Sequence, residues 1–305
     1  MLQSEFGRKG RTVSNRTKGI ACIILSAFCF TMMNIGIRLS GDLPSVQKSF
    51  FRNLVAMLIA LVVVLRDRSN FQLNKGDGKW LMLRSVAGTV GILCNFYAVD
   101  HLVLADATML NKMSPFFAVI FAVVLLKERL KLPQVLLILG AFLGSMLIVK
   151  PTFSNLALGP SLLGLLGGIG AGLAYAAVRV MSKRGVHKPL IVLVFSTFSC
   201  LVVIPYLVLH AEPMSARQFG FLILTGAAAA GGQFAVTAAY SYAPPREISV
   251  FDYSQILFAA IFGYFLFDQV PDWFSVIGYI TICTMAILML LYNRREDRLV
   301  AQKES

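Results

Sequence analysis

The sequence contains two copies of one apolar segment, offset by 141 positions, so that residues 91–125 fall on residues 232–266. Identical residues coincide along this alignment, and several polar positions agree in type: Ala98 with Ala239, Phe117 with Phe258, Leu125 with Leu266, Asp106 with Glu247, Thr108 with Ser249 and Asn111 with Asp252. An internal repeat in a strongly apolar chain indicates a membrane protein built from two similar halves around a shared interface.

The composition agrees with a membrane location. Hydrophobic residues make up 57% of the 305 positions and charged residues only 14%, with a mean hydropathy of +0.73. A soluble protein of this length could not cover so much apolar surface. Apolar runs of about 20 residues predict an all-α integral membrane protein with ten transmembrane helices, at 19–38, 48–66, 80–100, 104–126, 133–150, 160–182, 189–209, 217–242, 247–267 and 272–292.

The net charge of +13 is explained by topology and not by nucleic-acid binding. Of the 28 Lys and Arg, 20 lie in segments on the side of the N-terminus, and two lie in loops on the other side. Basic loops stay in the cytoplasm. We therefore expect a protein of the cell (inner) membrane, with both termini cytoplasmic, a retained N-terminal segment and no nucleic-acid partner.

An odd number of spans in each half makes the halves an inverted repeat, because the second half enters the membrane from the opposite side. The predicted units are a cytoplasmic tail at 1–18, five-helix repeats at 19–150 and 151–292, and a cytoplasmic tail at 293–305. The connections are too short to hold a soluble catalytic domain or a nucleotide-binding domain.

The sequence shows no metal or cofactor motif. Its five cysteines lie inside apolar runs without paired spacing, and no HExxH, CxxC or Walker A sequence occurs. We interpret the cysteines as packing residues and expect no metal and no cofactor. The glycine-rich run at 168–172 lies inside a predicted span with no strand before it, so we interpret it as a helix-packing surface and not as a phosphate loop.

Several segments resemble a family signature. The first half contains Tyr97-Ala98, Leu104-Ala105-Asp106-Ala107-Thr108, Ser114-Pro115-Phe116-Phe117 and Lys127-Glu128-Arg129-Leu130; the second contains Tyr253-Ser254-Gln255 and Phe267-Asp268-Gln269-Val270-Pro271. They resemble the signatures of EamA-type proteins of the drug/metabolite transporter superfamily. Gln269 departs from the pattern, in which an acidic residue is common. The resemblance implies ten helices, an inverted repeat and secondary transport of small metabolites, often export, and it leaves the substrate open.

Two charged residues lie deep in their predicted spans. Lys112 and Asp252 are each some six residues inside, or roughly 9 Å at 1.5 Å per residue. A charge at that depth is costly, so it faces a cavity or a partner. We expect Lys112 in the outer half and Asp252 in the inner half, lining a shared cavity with Asn111, Tyr253 and Gln255. Such a cavity suits a zwitterion such as an amino acid; structural pairing of each charge with another helix is the alternative.

Other polar and aromatic residues complete the predicted substrate-binding set: Asn95, Tyr97, Tyr175, Gln233 and Tyr240. Tyrosines are also common as anchors at the membrane interface. By contrast, Lys48, Arg52, Arg84 and Arg179 lie close to span ends, where long side chains can reach the headgroups. We expect this arrangement for all four, with Arg84 as the strongest candidate for an exception.

Three residues are candidates for gating. Asp106 and Glu247 are repeat partners at the starts of the fourth and ninth spans, on opposite faces of the membrane. They fit two opposed gates, although a carboxylate at a helix N-terminus is also favoured for electrostatic reasons alone. Pro115 removes a backbone hydrogen bond if it lies within a helix, and it could then form a hinge or shape the cavity.

Two other functions compete with transport of a polar metabolite. An organic cation or a drug held by aromatic residues and Asp252 would require Lys112 to be paired elsewhere. A membrane-embedded lipid-modifying enzyme would need a cluster of reactive groups, and the three histidines are scattered along the chain. We therefore expect no enzymatic activity. The expected partners are a small-molecule substrate and membrane lipids, and the protein could be a monomer or a homodimer.

Overall fold

The computed structural model describes residues 14–67, 73–101, 110–128, 131–149, 158–267 and 272–304. The described chain is helical and contains no strand, so the predicted all-α class is confirmed. Its helices are α1 (Asn15–Leu39), α2 (Ser45–Arg66), α3 (Asp77–His101), α4 (Ser114–Leu126), α5 (Leu132–Val149), α6 (Leu158–Lys183), α7 (Lys188–His210), α8 (Ala216–Tyr242), α9 (Pro245–Ile248), α10 (Ser254–Phe267) and α11 (Trp273–Glu304). A 3₁₀ segment, Ser249–Tyr253, joins α9 to α10.

Seven segments of the described chain are long and apolar enough to cross a membrane. They are Asn15–Leu39, Ser45–Arg66, Leu158–Lys183, Lys188–His210, Ala216–Tyr242, Pro245–Leu266 and Trp273–Glu296. Two shorter apolar helices cover Ser114–Leu126 and Leu132–Leu147. Helix α3 has 25 residues and is not one of these seven segments. The count of ten spans therefore stays a prediction.

Local side-chain contacts mark several helix starts. The Ser14 hydroxyl accepts a hydrogen bond from the backbone N–H of Thr17 at the start of α1. Ser215 and Gln218 form a reciprocal capping box at the start of α8. Such caps satisfy N–H groups that have no partner within the helix. Helix α8 ends just before Pro244 and Pro245, and Pro245 lies in the first turn of α9, where its missing N–H costs nothing.

The helices of one half pack mainly against helices of the other half. Helix α1 packs against α8, α3 against α6, α2 against α7, and α5 against α11. An offset of 141 residues exchanges the first two of these pairs, since α1 corresponds to α6 and α3 to α8. Neither half therefore has a separate core, and the interior lies between the halves.

Glycines allow α6 to approach two helices closely. A Cβ atom at Gly170 would lie 2.7 Å from the carbonyl oxygen of Ala87 on α3. A Cβ atom at Gly172 would lie 2.5 Å from the Cβ of Phe117 and 2.7 Å from the backbone nitrogen of Ala118, both on α4. Real Cβ contacts are longer than these values. Residues 168–172 therefore form a packing surface inside α6, as predicted.

This packing leads to a test with matched substitutions. Gly172→Ala should lower the thermal midpoint, because overpacking a tight contact costs about 1–3 kcal/mol. Gly220→Ala should leave the midpoint unchanged or raise it, since its Cβ would meet nothing within 4 Å and alanine is the better helix former. Equal midpoints for the two variants would contradict the close approach of α6 to α4.

Candidate functional site

Helix structure is interrupted at two places that the repeat relates. In the first half, Leu110 and Asn111 are helical, Lys112 and Met113 form a turn, and α4 begins at Ser114. In the second half, the 3₁₀ segment ends at Tyr253 and α10 begins at residue 254. With the offset of 141, the two interruptions coincide to within one residue. A break in a membrane helix exposes backbone groups that need partners, and it is a common location for a transport site.

Pro115 lies at the start of a helix and not in its interior, and its predicted gating role stays a prediction. Pro115 lies in the first turn of α4, where a backbone N–H has no partner within the helix in any case. It therefore removes no interior hydrogen bond and causes no kink in the middle of a helix. The turn at Lys112 and Met113 lies just before the proline.

Lys112, Asp252 and Gln255 meet at the two interruptions. The Lys112 Nζ lies 3.3 Å from Asp252 Oδ2 and donates a hydrogen bond to Gln255 Oε1 at 2.7 Å. Lys112 is only 6% exposed. The two charges were expected in opposite halves of the membrane, yet their side chains are in contact.

Tyr253 connects the two interruptions directly. Its hydroxyl donates a hydrogen bond to the backbone carbonyl of Lys112 at 3.1 Å. Tyr253 is the residue that the offset of 141 aligns with Lys112, so two repeat partners touch each other. The side chain is fully buried, and it satisfies a carbonyl oxygen in the turn before α4.

Two further predicted residues form an aromatic pair beside these groups. The rings of Tyr175 on α6 and Tyr240 on α8 are stacked, with centroids 4.9 Å apart and an angle of 19° between the planes. Tyr240 belongs to the same buried cluster as Tyr253, and Tyr175 packs against that cluster. The structure therefore brings together Lys112, Asp252, Gln255 and three predicted tyrosines.

Gln233 contacts a residue outside the predicted set. Its Oε1 accepts a hydrogen bond from Arg84 Nη2 at 3.0 Å. The guanidinium carbon of Arg84 lies 4.0 Å from the centroid of the Phe195 ring on α7, and Arg84 is 2% exposed. Arg84 therefore lies in the interior and does not reach the headgroups, in agreement with its selection as the candidate exception.

Arg52 is a second buried arginine, and here the expected headgroup contact is wrong. It is 5% exposed. Its Nε donates to the Met33 sulfur at 3.0 Å, and its Nη1 donates to Asn53 Oδ1 at 3.2 Å. In its own helix, Ser49, Arg52 and Asn53 are all buried, and their spacing of three and four residues could have indicated an inward-facing side of the helix.

Three predicted binding residues are placed differently. Tyr97 is 42% exposed and stacks on His101, with ring centroids 4.0 Å apart, so it lies outside the buried group. Asn95 lies on α3, where its backbone nitrogen faces Gly167 of α6. Asn111 is half-buried in the helical residues before the turn. The candidate gate Asp106 lies outside the described residues.

Glu128 joins three basic residues near the end of α4. Its carboxylate lies 3.0 Å from Lys183 Nζ, 3.5 Å from Arg179 Nε and 3.6 Å from Arg246 Nη1. Arg179 also donates to the carbonyl oxygen of Ser241 at 2.9 Å. Ion pairs and a hydrogen bond therefore connect the ends of α4, α6 and α8 with the start of α9.

Glu247 extends this set. Its carboxylate accepts a hydrogen bond from Arg16 Nε at 2.6 Å and lies 3.7 Å from Arg246 Nη2. Its backbone carbonyl accepts from Asn293 Nδ2 at 3.3 Å. We call the set Arg16, Glu128, Arg179, Lys183, Arg246 and Glu247 the Glu128–Glu247 network. It lies at the face of the protein where α1 begins.

The buried group combines charged, hydrogen-bonding and aromatic side chains. Within the described ranges, no three His, Cys, Asp or Glu side chains lie close enough together to hold a metal ion. The buried group instead offers ammonium, guanidinium, carboxylate, amide and aromatic groups. Such groups recognise charged and hydrogen-bonding parts of a small molecule.

Comparison with known proteins agrees with this arrangement. The EamA-like transporter family matches the chain twice, at residues 17–150 and 162–291. The chain is 32% identical over 274 residues to the pseudopaline exporter of Pseudomonas aeruginosa, covering 89% of this chain and 95% of that protein. It is 27% identical over 282 residues to human solute carrier family 35 member G1, covering 88% and 77%. It is 25% identical over 287 residues to the riboflavin transporter of Brucella anthropi, covering 90% and 98%.

The fold is also found among solved structures. A crystal structure of a protein with 14% sequence identity has a TM-score of 0.79 and covers 91% of this chain and 98% of its own. At this identity the likeness supports the fold alone. With the two family matches and the relatives named as transporters, the chain belongs to the EamA-like transporter family and is a multi-pass membrane transporter and not an enzyme.

Proposed function

We propose that the protein is a secondary transporter, an exporter or exchanger, that moves a small polar metabolite by alternating access. The observation that supports this most directly is the buried Lys112–Asp252 pair at two related helix interruptions. In a membrane interior, charges at such a depth mark substrate pathways more often than packing. The relative named as an exporter supports export as the direction.

The proposal includes inverted symmetry, which the same contacts support. Repeat partners Lys112 and Tyr253 touch each other, and the pairs α1–α8 and α3–α6 exchange under the repeat. Both observations fit a two-fold axis in the membrane plane that passes between the interruptions. The proposal therefore includes ten spans in two five-helix repeats, 19–150 and 151–292, with cytoplasmic tails at 1–18 and 293–305, in the cell (inner) membrane.

The Lys112–Asp252 pair suits a zwitterion. A carboxylate of the cargo would bind the Lys112 ammonium, and a cargo amine would bind Asp252, so that the cargo replaces an internal ion pair with two external ones. The stacked Tyr175 and Tyr240 provide an apolar wall beside these charges. An organic cation is less well supported, since two buried arginines add positive charge to the region.

Burial of the site implies that helices must move for the cargo to enter. The Glu128–Glu247 network ties α1, α4, α6 and α9 together at one face. We propose that this network closes that face and opens in the other half of the cycle. The repeat partner of Glu247 is Asp106, and the proposal gives it the matching role at the opposite face.

The first test separates a structural role of the charge pair from a role in transport. Lys112→Met alone should be strongly destabilising, by about 3–5 kcal/mol, since it leaves Asp252 buried without its partner. The double variant Lys112→Met/Asp252→Asn should recover most of that stability. It should nevertheless lose transport, measured as counterflow of radiolabelled amino acids, including glutamine and glutamate, in proteoliposomes.

An exposed charge pair provides the control. Lys131→Met/Glu296→Gln removes an ion pair of the same type at a partly exposed position, and it should keep both stability and transport. If the Lys112→Met/Asp252→Asn variant transports like the unmodified protein, the pair is structural and the proposed site is wrong.

The second test concerns the proposed closure. Glu247→Gln removes one charge from the network and should shift the protein toward opening at that face. Thr237, on α8 near this face, is fully buried, so a cysteine there reports on opening. In a background whose five native cysteines are replaced by serine, Thr237→Cys should react several-fold faster with a membrane-impermeant thiol reagent when Glu247→Gln is present.

The matched control is Asp67→Asn, which neutralises a carboxylate outside the network, next to the end of α2 and paired with His187. It should leave the rate of labelling unchanged. Identical labelling rates with and without Glu247→Gln would show that the network does not hold this face closed.

A further inference from the structure

We infer that the cargo has a net negative charge and presents, besides the group bound at Lys112, a second oxyanion that binds Arg84 and Arg52. This inference rests on the proposed transport function and specifies the substrate class: an amino acid derivative with an additional acidic group. It depends on two buried arginines whose charge the described protein does not balance.

Arg84 has a rigid but incomplete set of contacts. Gln233 Oε1 accepts one hydrogen bond from its Nη2, and Phe195 lies against the guanidinium group at 4.0 Å from the ring centroid. Its buried Nε has no hydrogen-bond partner. A guanidinium group has five N–H donors, so the site holds this group in place and leaves donors available for an acceptor.

Arg52 is equally short of charged partners. Its contacts are the sulfur of Met33, a weak acceptor, and the amide oxygen of Asn53. Its helix α2 packs against α3, which carries Arg84, and both helices pack against α7. Two positive charges therefore lie in the interior with neutral groups around them.

No carboxylate of the described residues lies within ion-pair distance of either arginine. Asp252 is the acidic side chain near the site, and its carboxylate pairs with Lys112. Counting Lys112, Arg52 and Arg84 against Asp252, the site has two positive charges in excess. Burying a charge without a counter-ion is costly, so an anionic cargo would supply what the protein lacks.

Structural arginines in the same protein look different. Arg179 lies 3.5 Å from the carboxylate of Glu128 and donates to the Ser241 carbonyl at 2.9 Å. Arg184 pairs with the buried carboxylate of Asp77 and donates to the carbonyl oxygen of Lys75. Both of these arginines therefore have a carboxylate and a backbone carbonyl as partners. Arg52 and Arg84 have neither.

Helix α1 connects this region to the Lys112–Asp252 pair. Its Thr31 donates a hydrogen bond to the backbone carbonyl of Gln255, and Met33, two residues further along, contacts Arg52. We therefore infer that one cargo engages both regions. Its amino acid part would bind Lys112 and Asp252, and its additional acid would bind the arginines. Carboxylate and phosphate both match a guanidinium group, and the experiment distinguishes them.

The experiment measures thermal stabilisation of the purified full chain by matched neutral and acidic probes. The pairs are glutamine with glutamate and asparagine with aspartate for carboxylate, and serine with O-phosphoserine for phosphate. Wherever a pair contains a probe that stabilises the protein, the acidic member should raise the thermal midpoint more than the neutral member. Arg84→Gln and Arg52→Gln should each weaken binding of the acidic probe by about tenfold or more, as expected for a lost hydrogen bond to a charged group.

The probe-free variants provide a second readout. Arg84→Gln should keep or raise the thermal midpoint, because it removes an uncompensated buried charge. Arg184→Gln, which removes the partner of the buried Asp77 carboxylate, should lower the midpoint and retain the preference for acidic probes. Arg84→Lys keeps the charge but loses the planar donor geometry, and it should bind acidic probes with intermediate strength.

Several results would overturn the inference: no acidic probe stabilises the protein, neutral and acidic probes stabilise it equally, or Arg84→Gln keeps the preference. Counterflow separates this failure from failure of the transport proposal. If glutamine is transported as fast as glutamate, the proposed transport function is supported and the proposed anion site is contradicted. Arginine-dependent binding of acidic probes without counterflow of any probe leaves the anion site and removes the transport function.

Discussion

The centre of the protein depends on how it satisfies polar groups where two helices are interrupted. A backbone carbonyl or N–H without a partner costs several kcal/mol in a membrane interior. Tyr253 supplies a partner for the carbonyl of Lys112, and Asp252 and Gln255 supply partners for its ammonium group. Because these groups come from both interruptions, each interruption is stabilised by the other, and the polar residues are brought together in the interior.

Close packing links this centre to the ionic network at one face. Tyr175 and Arg179 lie four residues apart on α6 and therefore on the same side of the helix. Tyr175 stacks on Tyr240 of α8, and Arg179 donates to the carbonyl oxygen of Ser241, the next residue. A movement of α6 relative to α8 would change both contacts at once. The glycines of α6 permit this close approach to its neighbours.

The sequence identifies buried residues whose depth in an apolar run is visible from the sequence alone. It does not identify residues whose burial depends on contacts with residues distant in sequence. Lys112 and Asp252 were identified because their distance from the ends of apolar runs is visible in the sequence. The depth of Arg84 was ambiguous by the same measure, since its burial comes from Gln233 and Phe195, which are distant in sequence. Arg52 was expected at the headgroups but is buried, because its contact with Met33 cannot be read from the sequence. Tyr97 was grouped with the site by residue type, although it faces outward and stacks on His101.

The balance of charge connects the substrate class with the transport cycle. The Lys112–Asp252 pair is neutral by itself, so it adds little cost when the helices rearrange without cargo. Arg52 and Arg84 differ, because their charge stays buried and unbalanced unless an anion accompanies it. An anionic cargo would therefore lower the cost of moving these groups through a low-dielectric interior. A site with this property rearranges more readily when loaded than when empty, which favours exchange of one anion for another over return of an empty carrier.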